Sequence, residues 1–317
     1  MQNIGIITKK SDPHALEATK KLAQWLHEQE RQVTVTLDTA LAVDIPLAIA
    51  KRRHQDELPQ DQDLIVVIGG DGTFLAAFRA VGIRTIPLLG INMGRLGFLT
   101  EVPLDAMLPT LTKVLAGQYR IEGRMLLTVS VFRHGEEVLS HCVMNDVVLH
   151  KGALARMIEF QVSIDDQFVF SARADGLIIA TPTGSTAYAL SAGGPILHPA
   201  IDALLMAPIC PHTLTNRPIA VPGLGSIRIT FTSKPGNNPV TAPGGRSSQS
   251  TEWHDRLLTL DGQTGFHLME GDTILVRRSP HRLQVLHAPT RNYYTVLREK
   301  LHWGEQLGLC TEPPSPR

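Results

Sequence analysis

Apolar positions in the first 118 residues follow two alternating patterns, one typical of strands and one typical of helices. Runs of apolar, largely β-branched residues predict buried strands of a parallel sheet. The strand-like runs are residues 3–8, 32–37, 64–68 and 85–91. Apolar residues at helical spacing predict helices after Pro13, after Gly72 and over residues 104–115. This strand–helix rhythm predicts an α/β domain built on an open, mostly parallel sheet.

From Tyr119 onward the pattern changes to short alternating runs separated by turn residues, which predicts a β-rich second domain. Residues 233–255 are rich in Pro, Gly, Ser and Asn and predict a long loop or disordered insertion. Near the end, Tyr293, Leu297 and Leu301 have helical spacing and predict a C-terminal helix that returns to the first domain. We therefore expect a domain of residues 1–118 with 285–317, and a second domain of residues 119–284.

Composition and charge are those of an ordinary globular enzyme. The 317 residues carry 30 basic and 30 acidic side chains, and the isoelectric point is about 7.2. This balance gives no indication of a nucleic-acid or membrane-surface partner. The densest basic run, Lys51-Arg52-Arg53, is followed by Asp56 and Glu57, which favours a solvated loop or helix face.

Cysteine usage and hydropathy indicate a reduced, cytoplasmic protein. The three cysteines are far apart and form no C-x-x-C pair, so neither a disulfide framework nor a thiolate zinc site is predicted. The start of the chain lacks the basic and apolar regions of a signal peptide. No run of about 18 apolar residues predicts a membrane-spanning helix.

The stretch from Leu64 to Phe74 predicts a buried strand, a glycine-rich turn and the start of a helix. Glycines there allow a phosphate to approach the backbone, and the helix N-terminus offers free N–H groups. Asp71 lies between these glycines, where a carboxylate suits a reaction base, although an N-cap of the helix is the plain alternative. A second glycine-rich turn at residues 90–99 matches neither a dinucleotide fingerprint nor a P-loop, and a pair of structural turns explains it equally well.

Three polar segments stand out in the β-rich half. Asn145-Asp146 precedes an apolar run, Arg173 and Asp175 flank one residue, and Thr181–Pro195 carries five serine or threonine residues and a tyrosine. Hydroxyls and an aromatic ring suit the recognition of an adenine and a ribose. The structural alternatives are an Asx turn, a surface ion pair and an ordinary loop.

The order of these motifs resembles that of bacterial NAD kinases across roughly residues 3–303. The segments that carry the resemblance are Gly69–Thr73, Asn92–Leu99, Asn145-Asp146 and Thr181–Pro195. The resemblance implies phosphorylation of the 2′-hydroxyl of the adenosine ribose of NAD, which gives NADP. It also implies an α/β domain that binds the phosphoryl donor and a β-rich domain that binds NAD.

Carried over by motif, the resemblance implies that Asp71 accepts the hydroxyl proton. It implies a phosphate-binding turn formed by Gly69, Gly70, Gly72 and Thr73. The implied NAD-binding residues are Asp71, Gly72, Asn145, Asp146, Arg156, Arg173, Asp175, Thr186, Ala187, Tyr188, Ala189, Leu190, Ser191 and Gln263. Mg²⁺ is the implied cation, with no side chain assigned to it, and ATP or polyphosphate is the implied co-substrate. Family members assemble as homodimers or homotetramers.

Two other functions compete with this one. A lipid kinase of the diacylglycerol type shares the Gly-Gly-Asp-Gly-Thr turn, but this neutral chain offers no clear membrane-facing patch. A non-catalytic NAD(P) sensor would use the same pocket, yet it has no evident use for the Asp71 carboxylate. The sequence leaves open the phosphoryl donor, the preference between NAD and NADH, feedback by NADPH and the number of subunits.

Overall fold

The computed structural model describes residues 1–94, 96–152, 157–213, 215–231, 256–288 and 292–304. The chain divides into two units. The first contains Met1–Gly123 and the C-terminal segment that begins at Leu283, and the second contains Arg124–Arg282. The predicted insertion at 233–255 lies outside the described residues.

The first unit is an α/β fold on a parallel sheet. Its elements before the second unit are β1 (Asn3–Thr8), α1 (Pro13–Glu28), β2 (Gln32–Thr36), α2 (Leu37–Ala42), β3 (Ala50–Arg53), β4 (Leu64–Gly69), α3 (Asp71–Val81), β5 (Leu88–Asn92), β6 (Val102–Pro103) and α4 (Met107–Leu115). Strands pair in the order β5-β4-β1-β2-β3, and every pairing is parallel. The predicted open, mostly parallel sheet is confirmed.

Strand β4 lies inside this sheet, and all six of its residues are buried. Its last residue, Gly69, is paired with Asn92 at the end of β5. The two glycine-rich turns therefore begin side by side at the carboxyl edge of the sheet. In open α/β sheets this edge is where ligands bind.

The segment 38–63, for which no element was predicted, contains α2 and β3. The prediction of a solvated loop or helix face for Lys51-Arg52-Arg53 was wrong, because these residues form most of β3 at the edge of the sheet. Arg52 donates to the carbonyl of Ile45 at 2.8 Å. Charged side chains are typical of an edge strand, where they discourage pairing with another chain.

The second unit is built from two antiparallel sheets. Its elements are β7 (Arg120–Arg133, starting in the first unit), β8 (Glu136–Val143), β9 (Asp146–Lys151), β10 (Ile158–Ile164), β11 (Gln167–Ala174), β12 (Gly176–Ala180), α5 (Tyr188–Ser191), β13 (Ala203–Ile209), β14 (Ile219–Pro222), β15 (Ile227–Phe231), β16 (Arg256–Leu260), β17 (Thr264–His267) and β18 (Thr273–His287, ending in the first unit). One sheet has the order β14-β13-β12-β9-β16-β17, and the other contains β11-β10-β15-β18. One apolar core takes side chains from both sheets, so the predicted β-rich domain is confirmed as a two-layer arrangement.

The last described helix, α6 (Tyr293–Leu301), belongs to the first unit, as predicted. The Asn292 side chain caps its N-terminus by accepting from the Thr295 amide at 3.0 Å. Val296 and Leu297 are buried on one face of the helix. Within the described ranges, no helix combines the length and apolar character needed to span a membrane.

Candidate active site

The turn between β4 and α3 leaves open space at two of its glycines. A Cβ added at Gly70 or at Gly72 would meet no atom within 4 Å, whereas one at Gly69 would lie 2.4 Å from the Thr73 hydroxyl oxygen. Gly70 is the N-cap residue of α3, and Asp71 is the first residue inside the helix. The N-cap alternative for Asp71 was therefore wrong, and its carboxylate is left for other partners.

Those partners lie mainly in the second glycine-rich turn. Asp71 Oδ2 accepts from the Phe98 amide at 3.0 Å, and Oδ1 accepts from the amides of Leu99 at 3.0 Å and Thr100 at 3.3 Å. A Cβ at Gly97 would lie 2.1 Å from Asp71 Oδ1, so only glycine leaves room for this approach. The second glycine-rich turn therefore packs against the first one and holds the Asp71 carboxylate in place.

A lysine from the C-terminal helix completes the surroundings of this carboxylate. Lys300 Nζ lies 3.0 Å from Asp71 Oδ2 and 4.6 Å from the centre of the Phe98 ring. The Phe98 ring in turn lies 6.4 Å, centroid to centroid, from the ring of Tyr293. Sequence reasoning missed Lys300, because helical spacing shows which residues are buried but not which distant turn a charged residue reaches.

The second unit contains a pocket of about 580 Å³. Five of the predicted NAD-binding residues line it: Asn145, Asp146, Asp175, Ala187 and Tyr188. The other lining residues are Val148, His150, Lys151, Ile209, Thr259, Asp261 and Gly262. A pocket of this volume and mixed polarity is of the size that small-molecule and cofactor sites have.

Asp261 organises one wall of the pocket. Its carboxylate accepts from the backbone amides of Met144 at 3.0 Å, Asn145 at 2.7 Å and Asp146 at 3.2 Å. Asp261 is 7% exposed, and burial raises the pKa of its carboxyl, although the three amide hydrogen bonds oppose that shift. The sequence pattern indicates only a turn at Asp261-Gly262, since the partners of Asp261 lie more than 100 positions earlier in the chain.

The buried carboxyl of Asp146 lines the pocket and keeps its proton to an unusually high pH. Its side chain is 4% exposed, and burial together with the nearby Asp261 carboxylate raises the pKa of Asp146 from 3.8 to about 7. A protonated carboxyl can donate a hydrogen bond, which an ionised one cannot. Asp146 therefore offers a ligand a donor below about pH 7.

This shift predicts that stability falls as pH rises from about 4 to about 7. In that window the unfolded carboxyl is ionised while the folded one keeps its proton, so each rise in pH favours the unfolded state. The full shift corresponds to about 4 kcal/mol. We expect Asp146→Asn to flatten the pH dependence of thermal unfolding between pH 5 and 8, and to raise the melting temperature at pH 8. The exposed variant Asp166→Asn is the control, and an Asp146→Asn profile parallel to that of the wild type would contradict the assignment.

Asn145 contributes a buried acceptor to the pocket. Among the described residues nothing donates a hydrogen bond to its Oδ1, which is shielded from solvent. Leaving such a group unpaired costs about 1–3 kcal/mol. Asn145 lines the pocket while Oδ1 itself is shielded, so a ligand hydroxyl or amine recovers this cost only if the side chain turns toward the pocket.

Three hydroxyls of the Thr181–Pro195 segment donate to backbone carbonyls, and the recognition of a ligand by this segment stays a prediction. Thr181 Oγ1 donates to the Met144 carbonyl at 2.6 Å, and Ser185 Oγ donates to the Pro182 carbonyl at 2.7 Å. Thr186 Oγ1 donates to the Thr183 carbonyl at 3.2 Å. What this loop presents to the pocket is Ala187 and the ring of Tyr188, which is 48% exposed.

The remaining predicted residues stand outside the pocket wall. Ala189 is fully buried in a core cluster. Arg173 lies on β11, with its guanidinium 3.8 Å from Glu159, and Asp175, which does line the pocket, pairs with Lys151 at 2.9 Å. The predicted NAD-binding residues that do not line this pocket are Asp71 and Gly72 of the first unit, and Arg173, Thr186, Ala189, Leu190, Ser191 and Gln263 of the second. Arg156 lies outside the described residues.

Comparison with known proteins identifies the family. The model of the ATP-NAD kinase N-terminal domain matches residues 4–119, and that of the C-terminal domain matches residues 144–255. The NAD kinase of Magnetococcus marinus is 54% identical over 308 residues, covering 97% of this chain and 96% of that protein. The NAD kinase of Geotalea daltonii is 43% identical over 306 residues, covering 96% of this chain and all of that protein.

Solved structures agree on the fold. The crystal structure of yeast NADH kinase complexed with NADH superposes with a TM-score of 0.86 at 29% identity, covering 98% of this chain and 90% of that one. An NAD kinase from Archaeoglobus fulgidus in complex with ATP has a TM-score of 0.69 at 24% identity, covering 94% of this chain and 99% of that one, and supports the fold alone. These matches favour a kinase that acts on NAD over the lipid-kinase and sensor alternatives. This chain belongs to the ATP-NAD kinase family, the enzymes that phosphorylate NAD to NADP.

Proposed function

We propose that NAD binds in the pocket of the second unit and that Asp71 of the first unit accepts the proton of the adenosine 2′-hydroxyl. The observation that carries the binding proposal is the buried, unpaired Oδ1 of Asn145, because a ribose is rich in hydroxyl donors. The neutral carboxyl of Asp146 and the exposed ring of Tyr188 add a donor and a stacking surface.

A base is needed because a ribose hydroxyl is a poor nucleophile at neutral pH. A positioned carboxylate that takes its proton typically contributes on the order of 10²- to 10⁴-fold to the rate. Asp71 is held for this task by the amides of Phe98, Leu99 and Thr100.

The donor phosphates fit the turn that contains Gly70 and Gly72, where both Cβ positions are open. The N-terminus of α3 presents the positive end of the helix dipole to this turn, which favours an anion. Phosphoryl transfer depends mainly on positioning and charge neutralisation, and these groups provide both. We propose ATP as the donor, with polyphosphate as the alternative to be tested.

The residues fit a Mg²⁺ ion that enters with the donor. In the part of the chain that the structure describes, no group of three or more His, Cys, Asp or Glu side chains could hold a metal ion. Mg²⁺ usually keeps several waters and binds through substrate phosphates with only one or two carboxylates. When bound, the ion supplies further neutralisation of phosphate charge.

A direct assay of donors tests this proposal. Purified protein is incubated with NAD, Mg²⁺ and either ATP or polyphosphate, and NADP is measured by an NADP-specific dehydrogenase. We expect NADP with ATP, and a rate with polyphosphate at least tenfold lower. Equal or faster formation with polyphosphate would overturn the choice of donor.

The Tyr188 ring provides a separate test of the pocket. We expect Tyr188→Ala to weaken NAD binding by about 1 kcal/mol, or five- to tenfold in Kd, because stacking on the base is lost. Isothermal titration calorimetry measures the change. Tyr119→Ala, which removes an exposed tyrosine that does not line the pocket, is the matched control. An unchanged affinity in Tyr188→Ala would remove this ring from the NAD site.

Assembly is proposed from the family resemblance. We expect a homodimer or homotetramer, in which a neighbouring subunit completes the NAD site. Light scattering after size-exclusion chromatography gives the mass directly. A monomer of about 35 kDa that retains full activity would contradict this expectation.

A further inference from the structure

Lys300 and Asp71 form an ion pair that joins the last described helix to the phosphate turn. Nζ of Lys300 lies 3.0 Å from Asp71 Oδ2, and the two side chains are 31% and 29% exposed. The helix is held in place by the buried Val296 and Leu297 and by the packing of Tyr293 near Phe98. The ammonium is therefore directed at this carboxylate by a packed element, unlike the mobile lysines of most surface pairs.

With Lys300 in place, both oxygens of Asp71 are fully occupied. Oδ2 accepts from the Phe98 amide and from Lys300, and Oδ1 accepts from the Leu99 and Thr100 amides. A carboxylate offers about four acceptor positions. The backbone amides are fixed by the turn, so Lys300 is the partner that can leave to let a hydroxyl approach.

We propose that Lys300 is a positioning residue for the reaction base, and that it leaves Asp71 for the donor phosphate when the donor binds. The open space at Gly70 and Gly72 places incoming phosphate oxygens at the same turn, so the ammonium exchanges one anion for another. In the resting enzyme the lysine covers Oδ2 of Asp71. With the donor bound, Oδ2 is free to accept the 2′-hydroxyl proton, so donor binding prepares the base.

The proposed role of Lys300 rests on the proposed role of Asp71 as the base, and it makes the exposure of that base depend on donor binding. Among the charged side chains of the described residues, Lys300 is the one paired with Asp71. The other contacts are uncharged: the backbone amides of residues 98–100 and the Thr100 hydroxyl at 3.4 Å. A change in charge at position 300 should therefore be felt directly by the carboxylate.

The test compares Lys300→Met, Lys300→Arg and the wild type. Without the ammonium the base loses a side chain that positions it, so kcat should fall on the order of tenfold in Lys300→Met. The KM for ATP should rise about tenfold, because a charged contact to phosphate is lost. Lys300→Arg keeps the charge and should restore most of both values. A purely structural role would lower stability and the folded fraction without raising the KM for ATP.

Arg298→Met is the matched control, since it removes an exposed positive charge from the last turn of the same helix. Thermal unfolding of each variant reports the folded fraction, and Lys300→Arg keeps the test valid if Lys300→Met folds poorly. An unchanged kcat in folded Lys300→Met overturns the positioning of the base by Lys300, and an unchanged KM for ATP overturns its transfer to phosphate. If Asp71→Asn retains full kcat, the assignment of the base itself fails, which distinguishes the two proposals.

Discussion

Replacing Asp71 by asparagine should lower kcat by on the order of 10²-fold or more while the affinity for NAD stays within about twofold. The amide has nearly the shape of the carboxylate, but it cannot accept the 2′-hydroxyl proton. The pocket of the second unit, where we propose that NAD binds, does not include Asp71 among its lining residues, so binding there should be preserved. Steady-state kinetics and calorimetric NAD titration measure the two quantities on the same preparation.

Two checks keep this result interpretable. Asp56→Asn removes an exposed carboxylate of the same unit and should leave kcat unchanged. The NAD-binding stoichiometry reports the folded fraction of Asp71→Asn, because the substituted side chain also contacts the amides of residues 98–100. A folded Asp71→Asn enzyme with near-wild-type kcat would exclude the carboxylate from the chemistry.

Truncating Asp261 to alanine should cost about 3–5 kcal/mol of unfolding free energy. The carboxylate accepts from the amides of Met144, Asn145 and Asp146, and all three would lose their acceptor inside the protein. Each unsatisfied buried donor costs about 1–3 kcal/mol, less whatever entering water recovers. Since the turn at residues 144–146 carries the pocket residues Asn145 and Asp146, the affinity for NAD should fall as well.

Asp166→Ala provides the comparison for this variant. Asp166 is an exposed aspartate of the same unit that pairs with Arg228 at 3.0 Å, and a surface pair contributes about 0–1 kcal/mol. Chemical denaturation should therefore separate the two variants by several kcal/mol. A loss below about 1 kcal/mol in Asp261→Ala would show that the three amide contacts are not what holds the turn.

Local patterns predicted the elements near the phosphate turn well. The strand over residues 64–68 ends at Gly69 and the helix begins at Asp71, because a continuous apolar run and a glycine cluster determine both ends locally. The strand at residues 3–8 and the helix that starts at Pro13 were also predicted at their observed positions. Sequence alone was sufficient wherever neighbouring residues decide the conformation.

The partners of the key carboxylates could not be predicted in this way. Asp71 contacts a turn 27 positions later and a lysine 229 positions later, and Asp261 contacts a turn 115 positions earlier. Such pairings depend on strand order and on the placement of a C-terminal helix, which periodicity does not contain. For a related reason the partners of the Thr181–Pro195 hydroxyls could not be predicted, since composition does not tell which hydroxyl donates to a backbone carbonyl.

The position of the new phosphate in the product tests directly whether the enzyme phosphorylates the 2′-hydroxyl of NAD. NAD, ATP and Mg²⁺ are incubated with the enzyme, and the dinucleotide product is examined by ³¹P NMR beside authentic NADP. We expect one new phosphomonoester signal that coincides with the 2′-phosphate of NADP, formed by the wild type and nearly absent with Asp71→Asn. No phosphorylated dinucleotide, or a phosphate on another hydroxyl, would contradict the proposed function.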